Sequence, residues 1–310
     1  MARLAVMGAG RIGGEVAYLA ATRGFARELV LCESAADLLR AQVLDLSHTG
    51  LDLAISTRKE EMKDADICIF SAGLPRNPSV KSRADLLHAN LGPAREFVGL
   101  MKGFSGILIT ITNPMDAINF YLCDRMGIDR ERCIGFGGQL DSARFEIALQ
   151  ARIFAGAADQ SHGPHLTPAP RRPAPSGPAV LGEHGEHQVP VFSRLSEKIP
   201  HPERDEILLR LRGASMEVIR GKGGTVFGPS HHIAELVRMV LADSREEAIC
   251  SSVLEGEYGL SGCSLGVPVQ VDRNGIRKID EWKLDAWEGA KMEEAGEFAG
   301  GLCREAVGSG

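Results

Sequence analysis

No run of about twenty apolar residues occurs in this chain, so no segment is expected to cross a bilayer as a helix. Basic residues are not in excess. Lys and Arg number 35 against 41 Asp and Glu, a net charge of -6 that argues against a nucleic-acid partner. The N-terminus, MARLAVMGAGRIGG, carries glycines where a secretion signal needs its apolar core, so no export is expected. Seven cysteines are present but no C-x-x-C pair, and an odd count does not suit a disulfide framework. Reduced, buried thiols in a cytoplasmic protein are expected instead. H-G-E-H (184–187) lacks the spacing of H-E-x-x-H, and with the neighbouring His231 and His232 it is expected to hold no metal. No internal repeat is visible.

What is present is ordered. At 310 residues the chain is long enough for two packed lobes. Apolar runs at Leu4–Met7, Glu28–Cys32, Ile67–Phe70 and Ile107–Ile111 alternate with helical patterns. That alternation predicts an α/β fold, a Rossmann-type doubly wound parallel sheet whose ligands lie at the carboxyl ends of its strands. Beyond a boundary near Gly138 the text changes. Helical periodicity at Asp141–Arg152, Glu203–Arg220, Pro229–Leu241 and from Leu284 onward surrounds a strand-and-turn region from Val253 to Ile279, with Asp272-Arg273-Asn274-Gly275 a hairpin signal. The division is residues 1–138 as a nucleotide-binding domain and 139–310 as an α+β catalytic domain. The proline-rich stretch at 155–178 fits neither domain and is expected to form a loop or no fixed structure.

Gly8-Ala9-Gly10-Arg11-Ile12-Gly13 is G-x-G-x-x-G between an apolar strand and a helix. Gly8 permits the tight turn, Gly10 lets backbone approach a pyrophosphate, and Gly13 allows close helix–strand packing. Arg11 and Ile12 sit in the same turn, at the helix N-terminus whose free N–H groups attract phosphate. Glu33 ends the second apolar run, 20 residues beyond Gly13. A carboxylate there accepts hydrogen bonds from ribose hydroxyls and repels a 2′-phosphate, so NAD is expected over NADP.

Asp141 and Arg144 share one face of a helix, and His184 stands between glycines in Leu181-Gly182-Glu183-His184-Gly185. A histidine suits proton transfer near neutrality. Arginine grips a carboxylate with two parallel N–H groups, which lysine does poorly. The segments GAGRIGG, VLDLSH, SAGLPR, TNPMD, GQLDSARF, LGEHG, KGGTVFGP and EGEYG follow one another from Gly8 to Gly259. In these the chain resembles the lactate/malate dehydrogenase family, with wording most similar to prokaryotic malate dehydrogenases of lactate-dehydrogenase-like type.

The resemblance implies a reversible transfer of hydride between NAD and a small 2-hydroxy acid, malate by preference. It implies His184 as proton donor and acceptor, oriented by Asp141, with Arg144 holding the substrate carboxylate. Arg83 is then expected on a mobile loop that closes over the substrate and polarises its carbonyl. Asn113 holds substrate and the nicotinamide side, Asn90 belongs to the cofactor site, and Thr225 lines the substrate pocket. Arg76 faces the variable end of the substrate. A cation there pairs with the second carboxylate of oxaloacetate, whereas pyruvate would leave it buried without a partner. A homodimer or homotetramer is also implied.

The chain departs from the family pattern twice. Arg76 and Arg83 are seven residues apart where six is usual in the malate type, and Asp141 and His184 are 43 apart because of the proline-rich stretch. That stretch has the Ala/Pro/Arg/Gly/His text of a GC-rich gene read out of frame. Two other readings stand beside malate: an L-lactate or other 2-hydroxy-acid dehydrogenase, and an NAD-binding protein whose catalysis the inserted stretch impairs.

Overall fold

The apolar runs become strands because residues buried on both faces of a sheet need no polar alternation. In a computed structural model that describes residues 2–75, 82–155 and 177–309, β1 (Ala2–Met7), β2 (Ala26–Cys32), β4 (Ile67–Phe70) and β5 (Ile107–Thr110) occupy the places expected of them. Two three-residue strands, β3 (Ala54–Ser56) and β6 (Cys133–Gly135), complete a parallel unit in the order β3-β2-β1-β4-β5-β6. Helices α1 (Arg11–Thr22), α2 (Ala36–His48), α3 (Arg83–Leu100) and α4 (Met115–Met126) connect these strands.

A second lobe continues the same sheet. β6 meets β9 (Glu246–Glu255) antiparallel at Gly135 and Ser251. β9 pairs along its length with β10 (Ser261–Asp272), and β10 turns at Arg273–Asn274 into β11 (Gly275–Ile279), with Asp272 opposite Gly275 as the hairpin signal predicts. The short strands β7 (Val180–Gly182) and β8 (Gln188–Pro190) pair with each other, and β7 joins β10. Four helices cover this lobe: α5 (Gly138–Ala155), α6 (His201–Lys222), α7 (Phe227–Leu241) and α8 (Ala286–Gly308). Asp285 caps α8 in a reciprocal bond with Glu288, which satisfies two free N–H groups at that end.

One hydrophobic core runs through both lobes. A smaller cluster of Phe145, Val180, Phe192, Ile207 and Leu211 packs α5 against α6 and β7. All seven cysteines are buried and none is in a disulfide. No helix of the described residues is long and apolar enough to cross a membrane. Arg76, the loop residues up to Lys81, and nearly all of the 155–178 stretch lie outside the described residues.

Candidate active site

A loop and a helix N-terminus bring the histidine and its aspartate together. The tight β7–β8 connection presents His184, while Asp141 sits in the first turn of α5. The Asp141 side chain is 2% exposed and its Oδ2 lies 2.7 Å from His184 Nδ1. Arg144, one turn along α5, donates from Nη1 to Asp141 Oδ1 at 3.0 Å. Gly137 makes room for the imidazole, since a Cβ at that position would lie 2.5 Å from His184 Cγ.

The Asp141 carboxylate and the two cations beside it shift one another's protonation, with Arg144 opposing the charge on His184. Burial alone favours neutral imidazole, but the adjoining Asp141 carboxylate outweighs it and raises His184 above the ordinary histidine range. Burial also disfavours ionised Asp141. The His184 and Arg144 cations, with a hydrogen bond from Gln188, reverse this and hold its carboxyl below the usual carboxylate range. Both shifts run toward an imidazolium paired with a carboxylate.

Arg83 is the first residue of helix α3 rather than part of a loop, which corrects the expectation drawn from the family. The cause is local: the Ser82 hydroxyl accepts the Asp85 N–H at 3.0 Å and starts the helix there. From this fixed base the guanidinium, 10% exposed, lies 3.4 Å from Glu183 Oε1. It donates to the His184 carbonyl at 3.2 Å and to Asn113 Oδ1 at 3.4 Å. Glu183 is in turn held by the N–H groups of Glu186 and His187, at 2.7 and 3.0 Å. Gly185 closes this socket, because any Cβ there would overlap the Arg83 guanidinium. Arg83 Nε has no hydrogen-bond partner among the described residues.

Asn90 sits wholly buried between two segments. Its Nδ2 donates to the carbonyls of Asn113 (2.6 Å) and Leu74 (3.2 Å), and its Oδ1 accepts the Leu74 N–H at 2.7 Å. It therefore ties the end of β5 to the chain that leads toward Arg76. Thr225 lies half-buried just before α7. His187 stacks on Phe298 and His231 meets His232 edge to face, with His231 also 3.0 Å from an Arg23 nitrogen. Burial and the charges of His231 and Arg144 push His232 down to about 4.

The nucleotide turn fits a dinucleotide on structural grounds. Gly8 has φ of +95°, and a Cβ there would strike the backbone of Ala72 at 2.5 Å. A Cβ on Gly10, by contrast, would meet only Glu33 Oε2 at 3.9 Å, so open space adjoins the turn where a phosphate would approach. Glu33 Oε1 accepts from Ser34 N (2.8 Å), Ser34 Oγ (3.0 Å) and Ala35 N (3.3 Å), which holds its carboxylate at the end of β2. Sequence reasoning missed one contributor here. Gln42 of α2 donates to the carbonyls of Ala9 (3.0 Å) and Gly10 (3.2 Å), securing the back of the turn. Nothing in the text around Gln42 signals this, since a glutamine on a helix is ordinarily solvated.

Known proteins carry the same two parts. The family model for the lactate/malate dehydrogenase NAD-binding domain matches residues 2–135, and that for the family's alpha/beta C-terminal domain matches residues 139–298. A malate dehydrogenase of Natronomonas pharaonis is 34% identical over 96% of this chain and 97% of its own. An L-lactate dehydrogenase of Bacillus velezensis is 31% identical over 94% of this chain and 93% of its own. Among solved structures, malate dehydrogenase from Archaeoglobus fulgidus in complex with NADH superposes with a TM-score of 0.81 at 27% identity, covering 99% of both chains. Family models that span nearly the whole chain, relatives aligned almost end to end and the glycine turn beside Glu33 agree: the chain belongs to the lactate/malate dehydrogenase family and is an NAD-dependent oxidoreductase of 2-hydroxy acids.

Proposed function

We propose that this chain interconverts malate and oxaloacetate with NAD as its preferred cofactor. The observation that carries the reading is the 2.7 Å pair of His184 with buried Asp141, flanked by the guanidinium groups of Arg144 and Arg83. Bound NAD supplies the hydride acceptor for oxidation, and NADH the donor for reduction; Gly8, Gly10, Arg11, Ile12, Gly13, Glu33, Asn90 and Asn113 are the residues to hold it.

The chain's own groups do the rest. Asp141 accepts the Nδ1 proton, which leaves Nε2 as the ring position that gives or takes a proton at the substrate oxygen. In reduction His184 enters protonated and donates; in oxidation it enters neutral and accepts. Arg144 Nη1 donates to Asp141 Oδ1, and the other N–H groups of its planar fork suit the substrate carboxylate. Arg83 sits across the His184 carbonyl and Asn113, where its charge polarises the carbonyl being reduced. Thr225 is proposed for the wall of the same pocket. Glu33 favours NAD over NADP because a 2′-phosphate beside a fixed carboxylate is repelled.

Malate over lactate rests on Arg76 and on the malate dehydrogenases among the relatives. Residues 1–138 and 139–310 are proposed as cofactor and substrate domains of a cytoplasmic homo-oligomer, dimer or tetramer; the free buried thiols support the compartment. The test is a steady-state assay of purified protein with NADH and NADPH against oxaloacetate and pyruvate, repeated with Arg76→Gln. Oxaloacetate is favoured by the wild type, and the preference collapses in the variant. Equal rates on both acids in both proteins would remove Arg76 as selector, and NADH binding without turnover of any 2-oxo acid would end the enzymatic reading.

A further inference from the structure

A third carboxylate touches the catalytic loop from behind. Asp116, in the first turn of α4, is 3% exposed. Its Oδ2 accepts the main-chain N–H of His184 at 2.8 Å, and its Oδ1 accepts the Ser251 hydroxyl at 2.5 Å. Ser251 on β9 lies 2.8 Å from Ser264 on β10, which receives Asn119 Nδ2 of α4 at 3.0 Å. Ser251, Ser264 and Asn119 are all fully buried.

The carboxylate at one end orders the donors of this chain. An ionised carboxylate can only accept, so the Ser251 hydroxyl turns to Asp116, which leaves the Ser251 oxygen to accept from Ser264 and Ser264 to accept from Asn119. The carboxylate receives a donor on each side. We propose that Asp116 is a positioning residue: its buried carboxylate fixes the main chain at His184 to β9 and β10, and so sets where the imidazole stands against Asp141. This rests on the proposed role of His184.

Why a carboxylate is needed follows from the donors. Asparagine can accept on one side only. Its NH₂ would face either the His184 N–H, donor against donor, or the Ser251 hydroxyl, which would then have to withdraw its proton from this side and turn it toward Ser264, reordering the chain. A carboxylate kept in such a place is disfavoured by burial. Burial and the neighbouring Glu183 push Asp116 up to about 7, opposed by the Ser251 and His184 hydrogen bonds and the His184 charge. Its charge in turn helps raise His184. The other titratable groups beside it are the buried thiols of Cys263 and Cys303.

The test uses the full-length protein with Asp116→Asn and, as a gentler perturbation, Ser251→Ala. Asp116→Asn is expected to lower kcat by about ten- to two-hundredfold, the range for one lost hydrogen bond to a charged group. NADH affinity by fluorescence stays unchanged, and the His184 pKa read by NMR of its ring nitrogens falls. Ser251→Ala moves both readouts the same way by less. An unchanged kcat overturns the proposal. So does a loss matched by weaker NADH binding and a lower Tm while the His184 pKa stays in place. If the wild type turned over no 2-oxo acid the functional reading would fail, yet the NMR readout would still decide whether Asp116 governs His184.

Discussion

Replacing Asp141 by Asn alters the shape of one buried side chain very little, yet it removes the charge on which two neighbours depend. His184 Nδ1 loses a carboxylate at 2.7 Å and Arg144 Nη1 loses one at 3.0 Å. A hydrogen bond to a charged group contributes about 1.5–3 kcal/mol, and every 1.36 kcal/mol is about tenfold in rate. The His184 bond alone therefore predicts a fall in kcat of about ten- to two-hundredfold, with a rise in KM from the loosened Arg144. The pH profile carries more information than the rate. His184 is raised by Asp141, so in the wild type reduction slows as pH rises through that raised value, and oxidation gains over the same window. In Asp141→Asn the controlling pKa moves down, and the reductive limb fails at lower pH. Initial rates of NADH consumption and NAD reduction, followed by absorbance across a pH series, read both effects. A variant with diminished kcat but an unmoved pH profile would refute the claim that Asp141 holds the histidine's charge.

Three further outcomes follow from the same contacts. Gly185→Ala would push the Arg83 guanidinium out of its socket against Glu183; KM for oxaloacetate should rise about tenfold or more, and an unaltered KM would show that Arg83 does not meet substrate. Gln42→Leu removes two hydrogen bonds to the glycine turn, so NADH affinity measured by fluorescence titration should weaken by about five- to tenfold, whereas an equal Kd would leave Gln42 a surface residue. Asp116, raised to about 7, binds a proton in the folded chain that the unfolded chain has already released above the ordinary carboxylate range. Stability is therefore expected to decline as pH rises from about 4 to 7; thermal melts of Asp116→Asn should lack that part of the decline, and an identical pH dependence would contradict the assignment.

The parts legible in the sequence were those with local signals. A strand, a glycine turn and an acid at a fixed interval identify the nucleotide-binding unit, because the chemistry of a pyrophosphate contact is concentrated in six residues and one carboxylate. The helix carrying Asp141 and Arg144 was readable from its period, and Asp272–Gly275 from its turn residues. The strands β3 and β6 were not, since three residues carry no periodicity and are recruited by their neighbours in the sheet. Arg83 was expected on a loop because the family pattern says where an arginine stands, whereas the Ser82 cap that begins α3 is a property of this chain. The network from Asn119 through Ser264 and Ser251 to Asp116 joins residues up to 145 positions apart. Each of its members is unremarkable alone, so only the fold assembles it.

The central claim is that one imidazole, steered by Asp141, meets the keto oxygen of an acid held by arginine. A crystal structure of the wild-type chain with NADH and an unreactive 2-oxo acid analogue tests it directly. The account predicts His184 Nε2 within hydrogen-bonding distance of the analogue's keto oxygen, with its carboxylate on Arg144. An analogue seated elsewhere, or a His184 ring turned from Asp141 with cofactor and analogue both in place, would contradict it.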